Sequence, residues 1–226
     1  MQKYWVSLLI WILITNLVSG SSRPQVGAKP IGLGSVFISN SEDAFGALWN
    51  PAGLVNLRKT TLDYDLSQGG FSVGLPLLPS LILGASFFDL NNTDRFIIDQ
   101  ATNPIGTFGH DNNQSVFSVA GKFGSRLSLG ANLNLTKHIH EKLLPSYDLG
   151  ILINATPSII LGASLREFGD QSREPVFDLG MTWKAHNYFQ LSNALDTTTW
   201  KFRAGAELSF HRFALRYGSI FHLDGS

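Results

Sequence analysis

The chain has 226 residues, a formal net charge of zero, no cysteine, 22 glycines and a 12% aromatic share. That length suits one domain of ordinary size. A neutral chain gives no electrostatic reason for nucleic acid or an anionic surface as partner. The missing cysteines exclude thiol catalysis, thiolate metal sites and disulfide staples.

Met1–Gly20 has the layout of a signal peptide: Lys3, an apolar run from Trp5 to Val18, then small Ser19, Gly20 and Ser21. The run is short for a membrane-spanning helix, so a cleaved signal is expected; an uncleaved N-terminal anchor is the alternative. Residues 21–58 form a second unit, unlike the rest. Within it, Ser41, Glu42 and Asp43 read as a helix start, Asn50-Pro51 as its end and Gly53 as a tight reversal.

Residues 59–226 read as strands and turns. Strands are expected at Thr60–Leu66, Phe71–Leu75, Leu81–Phe88, Ser115–Phe123, Leu127–Thr136, Tyr147–Asn154, Ser158–Arg166, Val176–Lys184, Tyr188–Leu195, Thr199–Phe210 and Phe213–Phe221. Many approach the roughly 9–11 residues that a tilted strand needs to cross a bilayer. Tight turns at Pro76–Pro79, Gly124–Arg126, Ala155–Pro157, Ala185–Asn187 and His211-Arg212 alternate with longer connections at Asp89–Gln114, Lys137–Ser146, Glu167–Pro175 and Asp196–Thr198. Short turns on one rim and long loops on the other are the habit of outer-membrane barrels.

The last third has a period of two. Tyr147, Leu149, Ile151, Ile153, Phe177, Leu179, Met181 and Trp183 fall on one face, without charge. Asp148, Arg166, Asp178, Lys184, Arg203 and Glu207 fall on the other, as lumen-facing residues of a barrel with lipid outside and a wet interior. The structural reading of these charges is pairing within a narrow lumen; a polar path is the functional one. Trp183, Phe189, Phe210 and Phe213 near the tight turns, with Tyr147, Phe177, Trp200 and Phe221 near the loops, suit two interfacial girdles.

Pairing across the turns sets Phe210 opposite Phe213, Gly205 opposite Gly218, Asn154 opposite Ser158, Gly150 opposite Gly162, Leu165 opposite Phe177 and Gly162 opposite Gly180. Gly150, Gly162, Gly180, Gly205 and Gly218 thus make a glycine row on the inner face. Such a row either leaves room for the N-terminal segment or bends the strands for closure.

The segment GAKPIGLGSVFISNSEDAFGALWNPAGL, Gly27–Leu54, resembles the mature N-terminus of the FadL-type superfamily of outer-membrane proteins. That group includes long-chain fatty acid and aromatic hydrocarbon transporters and the PorV and PorQ proteins of type IX secretion. Gly27, Ala28, Gly32, Gly34, Asp43, Ala44 and the motif Asn50, Pro51, Ala52, Gly53, Leu54 fill the pattern, with Lys29 where arginine is commoner. The resemblance implies an antiparallel β-barrel of about 11–14 strands, with a short N-terminal helical hatch inside it. The compact size and modest loops favour the PorV/PorQ-like branch: a non-catalytic barrel that attaches or shuttles exported proteins. A passive channel for fatty acids or other small hydrophobic molecules is the alternative, and a water-soluble secreted β-protein a third. Outer-membrane lipid is the expected surrounding partner in a Gram-negative bacterium, and no cofactor is expected.

Other motifs carry less. His138, His140 and Glu141 could hold a metal if a third element joined them, but a solvated loop explains them. Gly32-Leu33-Gly34 has no βαβ unit behind it and reads as a hatch turn. Asn91-Asn92-Thr93 matches a glycosylation pattern frequent by chance. No Ser-His-Asp spacing assembles, so no enzyme is expected. Finally, counting strands outward from Thr60 leaves Phe213–Phe221 running outward. The chain is therefore expected to lack its closing strand or strands, unless Gly34–Ile38 supplies one.

Overall fold

A computed structural model of the chain describes residues 26–66, 69–89, 95–98, 104–108, 113–137, 143–169 and 174–223. His138, His140, Glu141 and the Asn91-Asn92-Thr93 pattern lie outside these residues, as does the expected signal segment.

The protein is all-β. One antiparallel sheet holds eleven strands: β1 (Thr61–Asp65), β2 (Gly70–Leu78), β3 (Leu81–Asp89), β6 (Asn113–Phe123), β7 (Leu127–Lys137), β8 (Leu144–Asn154), β9 (Ile159–Phe168), β10 (Val176–His186), β11 (Phe189–Asp196), β12 (Lys201–Phe210) and β13 (Phe213–His222). They are paired in that order. A separate hairpin, β4 (Arg95–Ile98) with β5 (Pro104–Phe108), occupies what the sequence suggests is a plain connection, Asp89–Gln114. The sheet is not closed on itself: β1 and β13 each have a single strand neighbour. Because every neighbouring pair is antiparallel, an odd number of strands makes these two edges run in the same direction.

Alternation decides the two faces. Phe117, Leu149, Ile151, Phe177, Leu179 and Trp183 are exposed on the outer face, while Ser118, Asp148, Leu152, Asp178 and Thr182, one position away, are buried on the inner face. The inner face is covered by the N-terminal segment. Among the described residues, twelve of the nineteen buried apolar side chains lie between Val26 and Leu57. Leu33, Val36, Phe37, Ile38 and Trp49 pack with Ala194; Ala47, Leu54 and Leu57 with Ile82 and Ala120; Val26 and Phe45 with Phe88. The core therefore lies between the segment and the sheet.

The segment departs from its expected form. It contains one turn of α-helix, α1 (Ala28–Gly32), and two 3₁₀ helices, η1 (Ala44–Leu48) and η2 (Pro51–Asn56), in place of one helix begun at Ser41 and ended at Asn50-Pro51. Asn50 starts η2 rather than merely ending η1: its side chain caps Ala52, and Pro51 takes the first position, where a missing N–H costs nothing. Gly53 lies inside η2, where a Cβ would stand 2.7 Å from the Ser41 carbonyl oxygen. Close approach, not a reversal, demands glycine there. Gly34 and Ser35 adopt positive φ of 64° and 65°, so Gly34–Ile38 is no strand beside β13.

The pairings Phe210–Phe213, Gly205–Gly218, Leu165–Phe177 and Gly162–Gly180 are present. The β8–β9 pairing is displaced by two residues: Asn154 faces Ile160, and Gly150 faces Ser164. The cause is Thr156, whose Oγ1 accepts from the N–H groups of Ser158 and Ile159 and holds a longer turn than Ala155–Pro157. Ala185 and His186 extend β10, and the turn is Asn187-Tyr188. Likewise β2 continues through Pro76 past a register shift to Leu78, and the chain reverses at Pro79-Ser80. Trp200 lies in the turn before β12, at φ 50°.

Candidate functional site

The inner face meets the N-terminal segment along a line of glycines. A Cβ on Gly162 would stand 2.6 Å from the Ile38 carbonyl oxygen, one on Gly180 2.9 Å from Ile38 Cβ, and one on Gly205 2.7 Å from the Leu33 carbonyl oxygen. Gly218 lies against Leu33 and Gly34, and Gly150 against Asn50 and Pro51. Gly150 stands beside Gly130 rather than Gly162, so the five do not form one register row. Gly130 and Gly84 do the same service against Ala52 and Leu54. These two lie in the early strands, where mid-strand glycine at inward parity was the available signal.

Asn50 is the polar centre of the docking. Its Nδ2 donates to the carbonyl oxygens of Ile38 at 2.8 Å, Ile151 at 3.0 Å and Ala163 at 3.3 Å, and its Oδ1 accepts from Ala52 N at 3.1 Å. One side chain thus ties the segment to itself and to β8 and β9. Ser39 adds a hydroxyl bond to Thr182 on β10, and Asn132 on β7 donates to the Ala47 carbonyl. Replacing Asn50 with alanine removes a cap and the buried donor shared by the Ile38, Ile151 and Ala163 carbonyls. It should weaken docking by about 2–3 kcal/mol. Limited proteolysis of the segment checks this: Asn50→Ala should be cut much faster than the parent protein.

Two ionic groups flank the docked segment. Glu42 accepts from Lys29 of α1 at 2.9 Å and from Lys184 of β10 at 2.8 Å. Burial pushes the Glu42 carboxyl up, but the two lysines outweigh it and hold it below its ordinary value. Its neighbour Asp43 goes the other way. Burial, then the nearby Asp63 carboxylate, raises it to about 6. Glu42 and Lys184 also line a cavity of about 570 Å³ with Glu207, Gln190, His186 and Tyr188.

The second cluster is a buried chain of charges on β9–β12. Arg166 bonds Asp178 through Nε at 3.2 Å and Nη2 at 3.0 Å. Arg203 reaches Asp178 at 3.5 Å and Asp196 at 3.2 Å. All four side chains are buried. Asp148 accepts from Asn132 and from the Glu167 N–H, and Glu207 pairs with Arg216. The structure therefore groups Arg166, Asp178 and Arg203, and sets Asp148, Lys184 and Glu207 apart, each with its own partner. Sequence reading leaves out Asp196, Arg216 and Glu42 as partners; Arg216 shares the inward parity of Gly218.

Comparison with known protein families and with curated proteins finds no match for this chain. Among the described residues, no group of three or more His, Cys, Asp or Glu side chains is placed to hold a metal ion, and no helix is long and apolar enough to cross a membrane.

Proposed function

We propose that this protein is a non-catalytic β-barrel of the outer membrane, with residues 26–57 as an internal plug, and that it attaches or shuttles exported proteins. The observation that carries the reading is the division between the two faces. Exposed Tyr64, Phe71, Leu83, Phe117, Leu149, Phe177, Trp183, Leu191 and Phe213 continue from edge to edge on the outer face. A contiguous apolar surface on that scale is unstable in water and stable in lipid. The sheet curls around its own N-terminal segment, which contacts both edges: Asp65 of β1 accepts from Gly27 N, and Gly32 and Gly34 lie against Arg216 and Gly218 of β13.

The choice of attachment over passage rests on how the interior is filled. Glycines held against the segment backbone and a buried charge chain occupy the inner face. A partner then engages loops, rims or outer surface. The branch of the resemblance that works by binding partners agrees with this.

Fractionation and heat-modifiable migration in detergent gels test the barrel. Recovery in a soluble fraction overturns it. For the role, a deletion strain should lose particular exported proteins from its surface, and pull-downs should recover them. An unchanged surface proteome, with uptake of a labelled fatty acid or alkylbenzene that depends on the protein, would transfer the assignment to passage.

A further inference from the structure

We infer that Asp43 and Asp63 form an acid-sensitive latch, which fastens the N-terminal segment to edge strand β1 and tightens when the pair takes up a proton. The edge strand β1 has five residues and one strand neighbour, so it depends on other fastenings. Its inward carboxylates provide them. Asp65 accepts from Gly27 N at 2.7 Å and Asp63 from Ala44 N at 2.8 Å. Asp43 accepts from Gly46 N at 2.7 Å. Asp43 and Asp63 thus converge on the first turn of η1 from two elements. Two carboxylates on one short turn oppose each other when both are ionised.

The charged groups around Asp43 are few. Lys29 of α1 acts on it favourably, and Glu42 and Asp63 act against it. Lys29 and Lys184 are already engaged by Glu42. Adjacent carboxylates therefore behave differently. Glu42 is held toward its charged form by its two lysines, whereas Asp43 takes up a proton near pH 6.

The sign follows from the raised value. When the segment undocks, Asp43 returns toward its ordinary 3.8. The docked state then binds the proton more tightly, so docking strengthens as pH falls through about 6 and gains nothing further below the ordinary value. The gap corresponds to as much as about a hundredfold in the docking equilibrium. The latch acts on docking alone and works the same way for attachment and passage.

Trp49 is the probe, since it lies in the segment and is 1% exposed. The full chain with Trp5, Trp11, Trp183 and Trp200 changed to phenylalanine leaves Trp49 as its one tryptophan. The urea concentration at which Trp49 becomes open to acrylamide in detergent should fall from pH 4 to pH 7, a pH transition that levels off near 6. Asp43→Asn should abolish the transition, Asp63→Asn should move it to lower pH, and His186→Gln should leave it in place. A flat profile in the parent, an unchanged transition in either aspartate variant, or a transition that moves with His186 would overturn the latch. Heat-modifiable migration of the same samples reports the barrel separately, so failure of the latch and failure of the membrane assignment are distinguishable.

Discussion

Leucine at Gly162 and Gly180 is expected to expel the N-terminal segment and leave the sheet standing. Both residues face Ile38, whose position is fixed from several sides. Asn50 holds its carbonyl at 2.8 Å, and the next residue, Ser39, is bonded to Thr182 at 2.8 Å. A side chain at Gly162 would meet that backbone rather than the flexible end of a side chain, with even its Cβ only 2.6 Å from the Ile38 oxygen. Overpacking of a filled site costs about 1–3 kcal/mol per substitution, and a fixed backbone puts this case at or above the upper end. The double variant should therefore favour an undocked segment by several kcal/mol, roughly two such penalties together. Chymotrypsin should then cut after Phe37, Phe45 and Trp49, which are buried while the segment is docked, and heat-modifiable migration should persist. Ala163→Leu, one residue along and facing outward, is the control and should change neither readout. If the segment stays protected in the double variant, these glycines serve strand curvature instead.

The sheet was legible because a period of two survives in the sequence whatever the register. All eleven strands of the main sheet lie close to where the sequence suggests them, with the alternation plain in the last third, and the two-residue turn at His211-Arg212 fixes its pairing outright. Register failed where a side chain set the turn length. Thr156 bonds two backbone N–H groups of its own turn, and nothing in the alternation of β8 and β9 distinguishes a pairing from one displaced by two. Hairpin β4–β5 is short and lies within a polar stretch, so it gave no periodic signal.

The N-terminal segment was legible as a motif and not as a shape. Asn50, Pro51, Gly53 and Leu54 each have a local reason in the structure: a cap, a first helical position, a close approach to Ser41, and burial with Ile82 and Ala120. The cap and the proline position follow from the chain alone. The packing of Gly53 and Leu54 depends on what lies opposite. The inward charges divide in the same way. Parity places Arg166, Asp178 and Arg203 on one face, but Arg166 and Asp178 meet diagonally, Arg166 itself standing opposite Val176. Asp196 was hidden because it lies at a strand end that reads as loop.

Arg203→Met should be among the most destabilising single changes in the sheet. Register sets Asp178 directly opposite Asp196, two buried carboxylates side by side on neighbouring strands. Like charges in that arrangement repel, and Arg203 bonds both. Without it, Asp178 keeps Arg166, while Asp196 loses its arginine partner beside a second negative charge. Breaking a buried pair by removing one partner costs about 3–5 kcal/mol. For a chain of this size that should lower the melting temperature by roughly 10 °C, measured on the refolded protein in detergent. Adding Asp196→Asn removes the opposed charge while preserving shape, so the double variant should recover a substantial part of the loss. A cycle of the two substitutions then reports their coupling directly. Additive losses, with no recovery in the double variant, would mean that Arg203 contributes through packing of its side chain and not by bridging the two carboxylates.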